Sequence, residues 1–130
     1  MYDYRIYEKE KIVILKFWGK VTYDDYMNCF LAAGSDSRFS HDFQGLVDER
    51  NIIPLISPDE MRQLGEFVAS KGLSKGKWAV VVNEPVPTAL AVIYEETVKN
   101  QHPLGIFSTV KGGSEYLDLD LEPLLKEFEK

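Results

Sequence analysis

Residues Ile12 to Gly19, IVILKFWG, open with four consecutive apolar side chains and carry two aromatics after them. A β-strand sends alternate side chains to opposite faces, so a strand apolar at odd and even positions alike must be covered on both sides. That requirement excludes a sheet with one wetted face. Just upstream, Tyr2 to Tyr7 alternates, with Tyr2, Tyr4 and Ile6 on one side. Only EKEK separates the two runs, so they read as an antiparallel hairpin, although Glu-Lys is weak turn chemistry.

Helical stretches separate the remaining apolar runs. Thr22 is an N-cap with Asp25 three residues on, and Tyr23, Tyr26, Met27, Phe30 and Leu31 follow as a core-facing stripe. The strand Phe43 to Asp48 comes next and ends in Asp48-Glu49-Arg50. The apolar loop NIIPLI leads to Ser57, an N-cap with Pro58 at the first helical position and Asp59 and Glu60 in the first turn. Gly72 is placed to terminate that helix. Trp78 to Val82 is a third buried strand, Pro87 to Asn100 a helix, and Leu104 to Phe107 a last short strand. Ser108 or Thr109 caps a helix running to Leu117, and Leu121, Leu124, Leu125 and Phe128 keep helical spacing in the tail. That leucine stripe offers a dimer face or completes the core of the monomer. The order is β-β-α-β-α-β-α-β-α with an extra tail helix, which predicts an α/β domain built on a mixed five-stranded sheet with helices on both faces.

A chain of 130 residues is the size of one domain. Its net charge of −6 argues against nucleic acid and against anionic membrane surfaces, both of which select basic patches. No apolar run approaches the ~20 residues of a membrane span, and MYDYRIYEKEK has no leader-like apolar core. Cys29 is the only cysteine, so no internal disulfide forms; a cytoplasmic location is the expectation.

The stretches GKVTYDDY, GLVDERN with SPDEM, WAVVVNE and IFSTVKGGSEYL, taken in this order, resemble the SpoIIAA-like proteins, relatives of the STAS domain of anti-sigma-factor antagonists. The resemblance spans about residues 1–118 and leaves 119–130 as a helical extension. It implies a single SpoIIAA-like domain with a regulatory, protein-binding role. In anti-sigma-factor antagonists an Asp-Ser-Ser-Gly-like element opens the helix after the third strand and carries a phosphorylated serine. Ser57 stands in the comparable region, but SPDEM has neither the Asp-Ser pair nor the glycine. The looser SpoIIAA-like group is also similar to lipid-binding Sec14-type domains, which implies a carrier as the alternative.

The candidate site residues follow from these placements. Ser57 is an N-cap on one reading and a phosphoacceptor on the other, since a helix N-terminus favours phosphate. Asp48, Glu49 and Arg50 lie past the carboxyl end of a central strand, where Asn83, Glu84 and Ser108 from neighbouring strand ends would join them. Arg50 would hold an anion and Asp48 orient a hydroxyl; the plain alternative is an ion pair. Residues Ile52 to Ile56 are a partner-binding or lipid-contacting patch, or fold over the core. His41 and His102 lack metal spacing, Gly112-Gly113 lacks the ending of a phosphate loop, and no catalytic motif occurs, so neither a metal nor a cofactor is expected. A non-enzymatic binding or regulatory domain comes first, a small carrier of an apolar ligand second and an enzyme third.

Overall fold

A computed structural model describes residues 1–129. The elements are β1 (Tyr2–Tyr7), β2 (Ile12–Thr22), α1 (Tyr23–Ser35), β3 (Gln44–Leu55), α2 (Pro58–Lys71), β4 (Trp78–Val81), α3 (Pro85–Val98), β5 (Leu104–Phe107), α4 (Val110–Leu117) and α5 (Glu122–Lys126), with a closing 3₁₀ turn over Glu127–Glu129. The five strands form one sheet in the order β1-β2-β3-β4-β5; β1 is antiparallel to β2 and the others are parallel. The fold is therefore α/β with a mixed five-stranded sheet.

The strand order never reverses. Right-handed crossovers advancing in one direction must place their helices on the same face. Accordingly α1, α2 and α3 cover one face, where Tyr26, Cys29, Met61, Leu64, Leu90 and Ala91 pack on Val13, Leu15, Phe17, Val47 and Val80. The opposite face packs Ile12, Ile14, Leu46, Ala79 and Val81 against α4 and the tail, through Val110, Leu117, Leu121 and Leu125. Here the double-faced apolarity of Ile12–Leu15 finds its two partners. Leu121 and Leu125 are buried in this second core, so the tail leucines complete the monomer.

Helix punctuation follows the local chemistry. Thr22 and Ser57 each head a reciprocal capping box, with Asp25 and Glu60 returning to the cap N–H at 2.9 Å. Gly72 closes α2 in the left-handed conformation, φ +58°, at little steric cost to a residue without a Cβ. Thr109 caps α4 by accepting from Gly112 N–H at 3.0 Å. Gly45 in β3 leaves room for the Trp78 indole, which a Cβ would overlap.

Two expectations fail: Leu31, read as part of the core-facing stripe of α1, is 44% exposed, and the apolar connection after β3 is not a loop. Residues 52–56 do not form a loop over the core: β3 runs to Leu55 and pairs with β2 as far as Thr22↔Leu55. β-branched Ile52 and Ile53 favour extended backbone, and Pro54 is tolerated because β4 pairs only with Gly45–Asp48, leaving one side of the extension free. A β-bulge lies between Asp48 and Asn51, where β2 advances two residues (Lys16 to Trp18) and β3 three. The extra residue shifts the alternation, so Val47 and Glu49 before it and Ile52 and Ile56 after it all face α1–α3.

Candidate functional site

The residues that sequence places together at the end of the central strand separate in three directions. Asp48 and Glu49 are neighbours on a strand, so they point to opposite faces. Asp48 lies on the α4 side, 3% exposed, and Arg50 clamps it through two guanidinium bonds of 3.0 Å each. Arg50 N–H adds a third at 3.2 Å, and Lys16 Nζ approaches at 3.3 Å from the adjacent strand. Burial alone would raise the Asp48 carboxyl, but Arg50 and Lys16 outweigh it and hold the group below the usual carboxylate range. The plain ion-pair reading of Asp48 and Arg50 is the one this geometry supports. Lys16 belongs to the cluster and is not apparent from sequence, because only the β2–β3 register brings it opposite Asp48.

Ser57 is remote from this cluster. The extended backbone from Asp48 to Leu55 spans roughly 20 Å at the ordinary strand rise. The Ser57 hydroxyl accepts from Glu60 N–H at 3.1 Å, so its oxygen works as a cap. Asn83 is exposed beyond the end of β4, and Glu84 and Ser108 are exposed beside their strand ends. The unreversed strand order also removes the crevice at which open α/β sheets usually bind ligands.

Glu49 is the residue whose environment stands apart. It is 8% exposed, on the face covered by α1–α3, and no cation pairs with it among the described residues. The Tyr26 hydroxyl donates to Oε2 at 3.0 Å. Burial, only partly opposed by that hydrogen bond and reinforced by Asp48, raises the carboxyl to about 7. Tyr26 and Tyr94 titrate above their ordinary value, first through burial and then through the nearby Glu49 charge. Tyr26 bonds one of the two Glu49 oxygens, and no hydrogen bond reaches the other among the described residues.

Two cavities meet at this acid's side of the sheet. One of about 20 Å³ is lined by Glu49, Tyr26, Phe30, Val47, Met61 and Tyr94, among others. The other, about 50 Å³ and almost wholly apolar, extends between α1 and the sheet toward Leu73 and Trp78. Phe30, Val47 and Tyr94 line both, and the Phe30 and Tyr94 rings meet edge-on at 6.1 Å. Neither space reaches the ~150 Å³ that holds a benzene, so anything larger than a few waters enters by displacing those two rings. Sequence reading treats Tyr26 and Tyr94 as core stripes and groups Glu49 with Asp48. The available signal is an acid at an inward strand position facing two tyrosines on inward helix positions.

Other chemistry is quiet. Cys29 is buried and its thiol pushed up to about 12, so it stays protonated. His102 is buried with Nδ1 3.3 Å from the Pro103 carbonyl, and burial lowers its pKa. Among the described residues no group of three or more His, Cys, Asp or Glu is placed to hold a metal ion, and no helix is long and apolar enough to cross a membrane. In comparisons with known proteins, no family model, no curated protein and no solved structure matches the chain.

Proposed function

We propose that the chain is a non-enzymatic binding module whose ligand is a small apolar molecule carrying one hydroxyl or amine. The ligand's apolar part occupies the space between α1–α3 and the sheet, with its polar group on Glu49. One observation carries this reading: a buried carboxylic acid lines a largely apolar cavity, bonded by Tyr26 through one oxygen and ion-paired with no cation among the described residues. Such an acid destabilises the fold near neutral pH, and the core has no packing need for it. Asp48, one residue away, is by contrast a buried carboxylate that this chain does neutralise, with Lys16 and Arg50.

The experiment is an NMR titration with butanol, hexanol and benzylamine. It should shift the ring resonances of Tyr26, Phe30 and Tyr94, and Glu49→Gln should weaken the best probe at least about tenfold, the loss of one charge-assisted hydrogen bond. Unmoved ring signals at saturating probe would end this reading. Native mass spectrometry of the protein from its source would identify the resident molecule.

A second reading rests on a separate surface. Ile53, Leu55 and Val86 are 57%, 52% and 62% exposed, and Ile53 and Val86 share an open cleft of about 470 Å³ with Arg50 and Glu84. Exposed apolar residues on this surface support the protein-binding, regulatory role that the SpoIIAA-like resemblance implies. A photo-crosslinker at position 53 tests it in the source cell: one discrete adduct supports a partner, and a diffuse pattern does not.

A further inference from the structure

Beside the end of β2, whose Trp18–Thr22 stretch runs past β1 and is met there by Met1, three strand edges of this sheet are unpaired among the described residues, and they differ in what they present. β5 offers only four residues. The β3 extension is blunted, since Arg50 N–H is occupied by Asp48 and Pro54 has no N–H. The outer edge of β1 is six residues long and carries no proline.

The β1–β2 ladder fixes which groups face outward. Trp18 N–H bonds the Met1 carbonyl at 3.1 Å, and the register then makes Asp3/Lys16, Arg5/Ile14 and Tyr7/Ile12 the hydrogen-bonded pairs. The N–H and C=O groups of Tyr2, Tyr4 and Ile6 therefore point away from the sheet. Tyr4 confirms it, because its N–H turns to Asp3 Oδ1 at 2.8 Å.

We infer that this edge is a homodimer interface, in which two copies pair β1 antiparallel about a two-fold axis at Tyr4. In that register Tyr4 lies opposite Tyr4 of the second copy and Tyr2 opposite Ile6, exchanging the outward N–H and C=O groups. Asp3 falls opposite Arg5 on both sides of the axis. Both charges occupy non-hydrogen-bonded positions of the new ladder, where facing side chains approach most closely. The sequence of charges selects this arrangement: parallel pairing sets Asp3 against Asp3, and a two-residue slip that centres the axis on Arg5 sets Arg5 against Arg5. On the other face Tyr2, Tyr4 and Ile6 already join the first core, so pairing extends that apolar layer from one copy to the next.

The monomer holds the pieces loosely. Asp3 is exposed and its carboxylate stands in for the missing strand at Tyr4 N–H. Arg5 reaches Glu127 only at 3.8 Å and lies over the Phe128 ring at 5.1 Å. On association Tyr4 N–H passes to the facing carbonyl, and the freed Asp3 carboxylate turns to Arg5 of the second copy.

A charge swap tests this in the 130-residue chain, with the dimer Kd read by sedimentation equilibrium and amide exchange read at Tyr2 and Ile6. Wild type should dimerise, with those two amides slowing as concentration rises. Asp3→Arg and Arg5→Asp should each raise Kd about tenfold or more, since two symmetric pairs become repulsive, and the double swap should recover wild-type Kd within about threefold. Should Arg5→Asp fail to fold for want of Glu127 and Phe128, Asp3→Asn still reports: it keeps a neutral side chain opposite Lys16 in β2 and removes both cross-copy charge pairs, so it should weaken the dimer as well. A wild type monomeric up to ~100 μM, single swaps without effect, or a dimer whose Tyr2 and Ile6 amides stay unprotected would each overturn the inference.

Discussion

Replacing Glu49 with glutamine should make the protein more stable at pH 8 and leave it nearly unchanged at pH 4.5. The side chain keeps its shape, and glutamine Oε1 still accepts the Tyr26 hydroxyl that now bonds Oε2 at 3.0 Å. What disappears is a proton equilibrium. The Glu49 carboxyl rises from 4.5 to about 7 in the fold, chiefly through burial. The native state therefore holds this proton more tightly than the unfolded chain, and Glu49's contribution to stability is complete below pH 4.5. It is lost as pH climbs through 7, because the unfolded chain ionises first and without penalty. At 1.36 kcal/mol per pH unit this shift corresponds to about 3 kcal/mol. Urea unfolding of both proteins from pH 4.5 to 8.5 gives the difference curve directly, since Asp48 and the surface carboxylates are common to both and cancel. The difference should be near zero at the acid end, climb between pH 5 and 7, and level off near 3 kcal/mol in favour of glutamine. A flat difference, or a glutamine variant less stable at pH 8, would refute the assignment of Glu49 as an unpaired buried acid.

Asp48 predicts the opposite dependence. Its lowered carboxyl adds stability above the unfolded value and loses it as pH falls through the folded one, and Asp48→Asn, which leaves Lys16 and Arg50 facing a neutral group, should cost about 2–3 kcal/mol at pH 7 in the same denaturation assay. Ser57→Ala should cost about 1 kcal/mol through loss of the α2 capping box, whereas Ser57→Asp should stay within about 0.5 kcal/mol because aspartate caps equally well; thermal melts distinguish the two. Gly45→Ala should cost about 1–3 kcal/mol and red-shift tryptophan emission, because the new methyl displaces the Trp78 indole that fills the gap above Gly45.

Much of the architecture is legible in the letters because it is local. Capping boxes at Thr22 and Ser57, the terminator Gly72, and the double-faced apolarity of Ile12–Leu15 each encode their structure within a few residues. The loop expected at residues 52–56 is a strand for the converse reason: Pro54 and a charged triplet argue against continuation, and only pairing with Gly19–Thr22 of β2 overrides them. The candidate site was less legible. Asp48, Glu49 and Arg50 are consecutive in sequence, yet alternation and the bulge give Asp48 and Arg50 to one face and Glu49 to the other.

The sequence by itself determined where the strands and helices lie, the extension of β3 through Leu55 aside, where most helices begin, and that the sheet must be covered on both sides. Those outcomes depend on backbone propensity, capping and periodicity, all short-range. Only the tertiary structure decided that the strand order runs without reversal, that Lys16 meets Asp48, and that Glu49 shares a cavity with Tyr26 and Tyr94. Each of these depends on register and on which helix lies over which strand, contacts between residues far apart in the chain that no local pattern records. The same holds for the β1 edge: the letters Asp3 and Arg5 are ordinary surface charges until the ladder with β2 shows which backbone groups face outward.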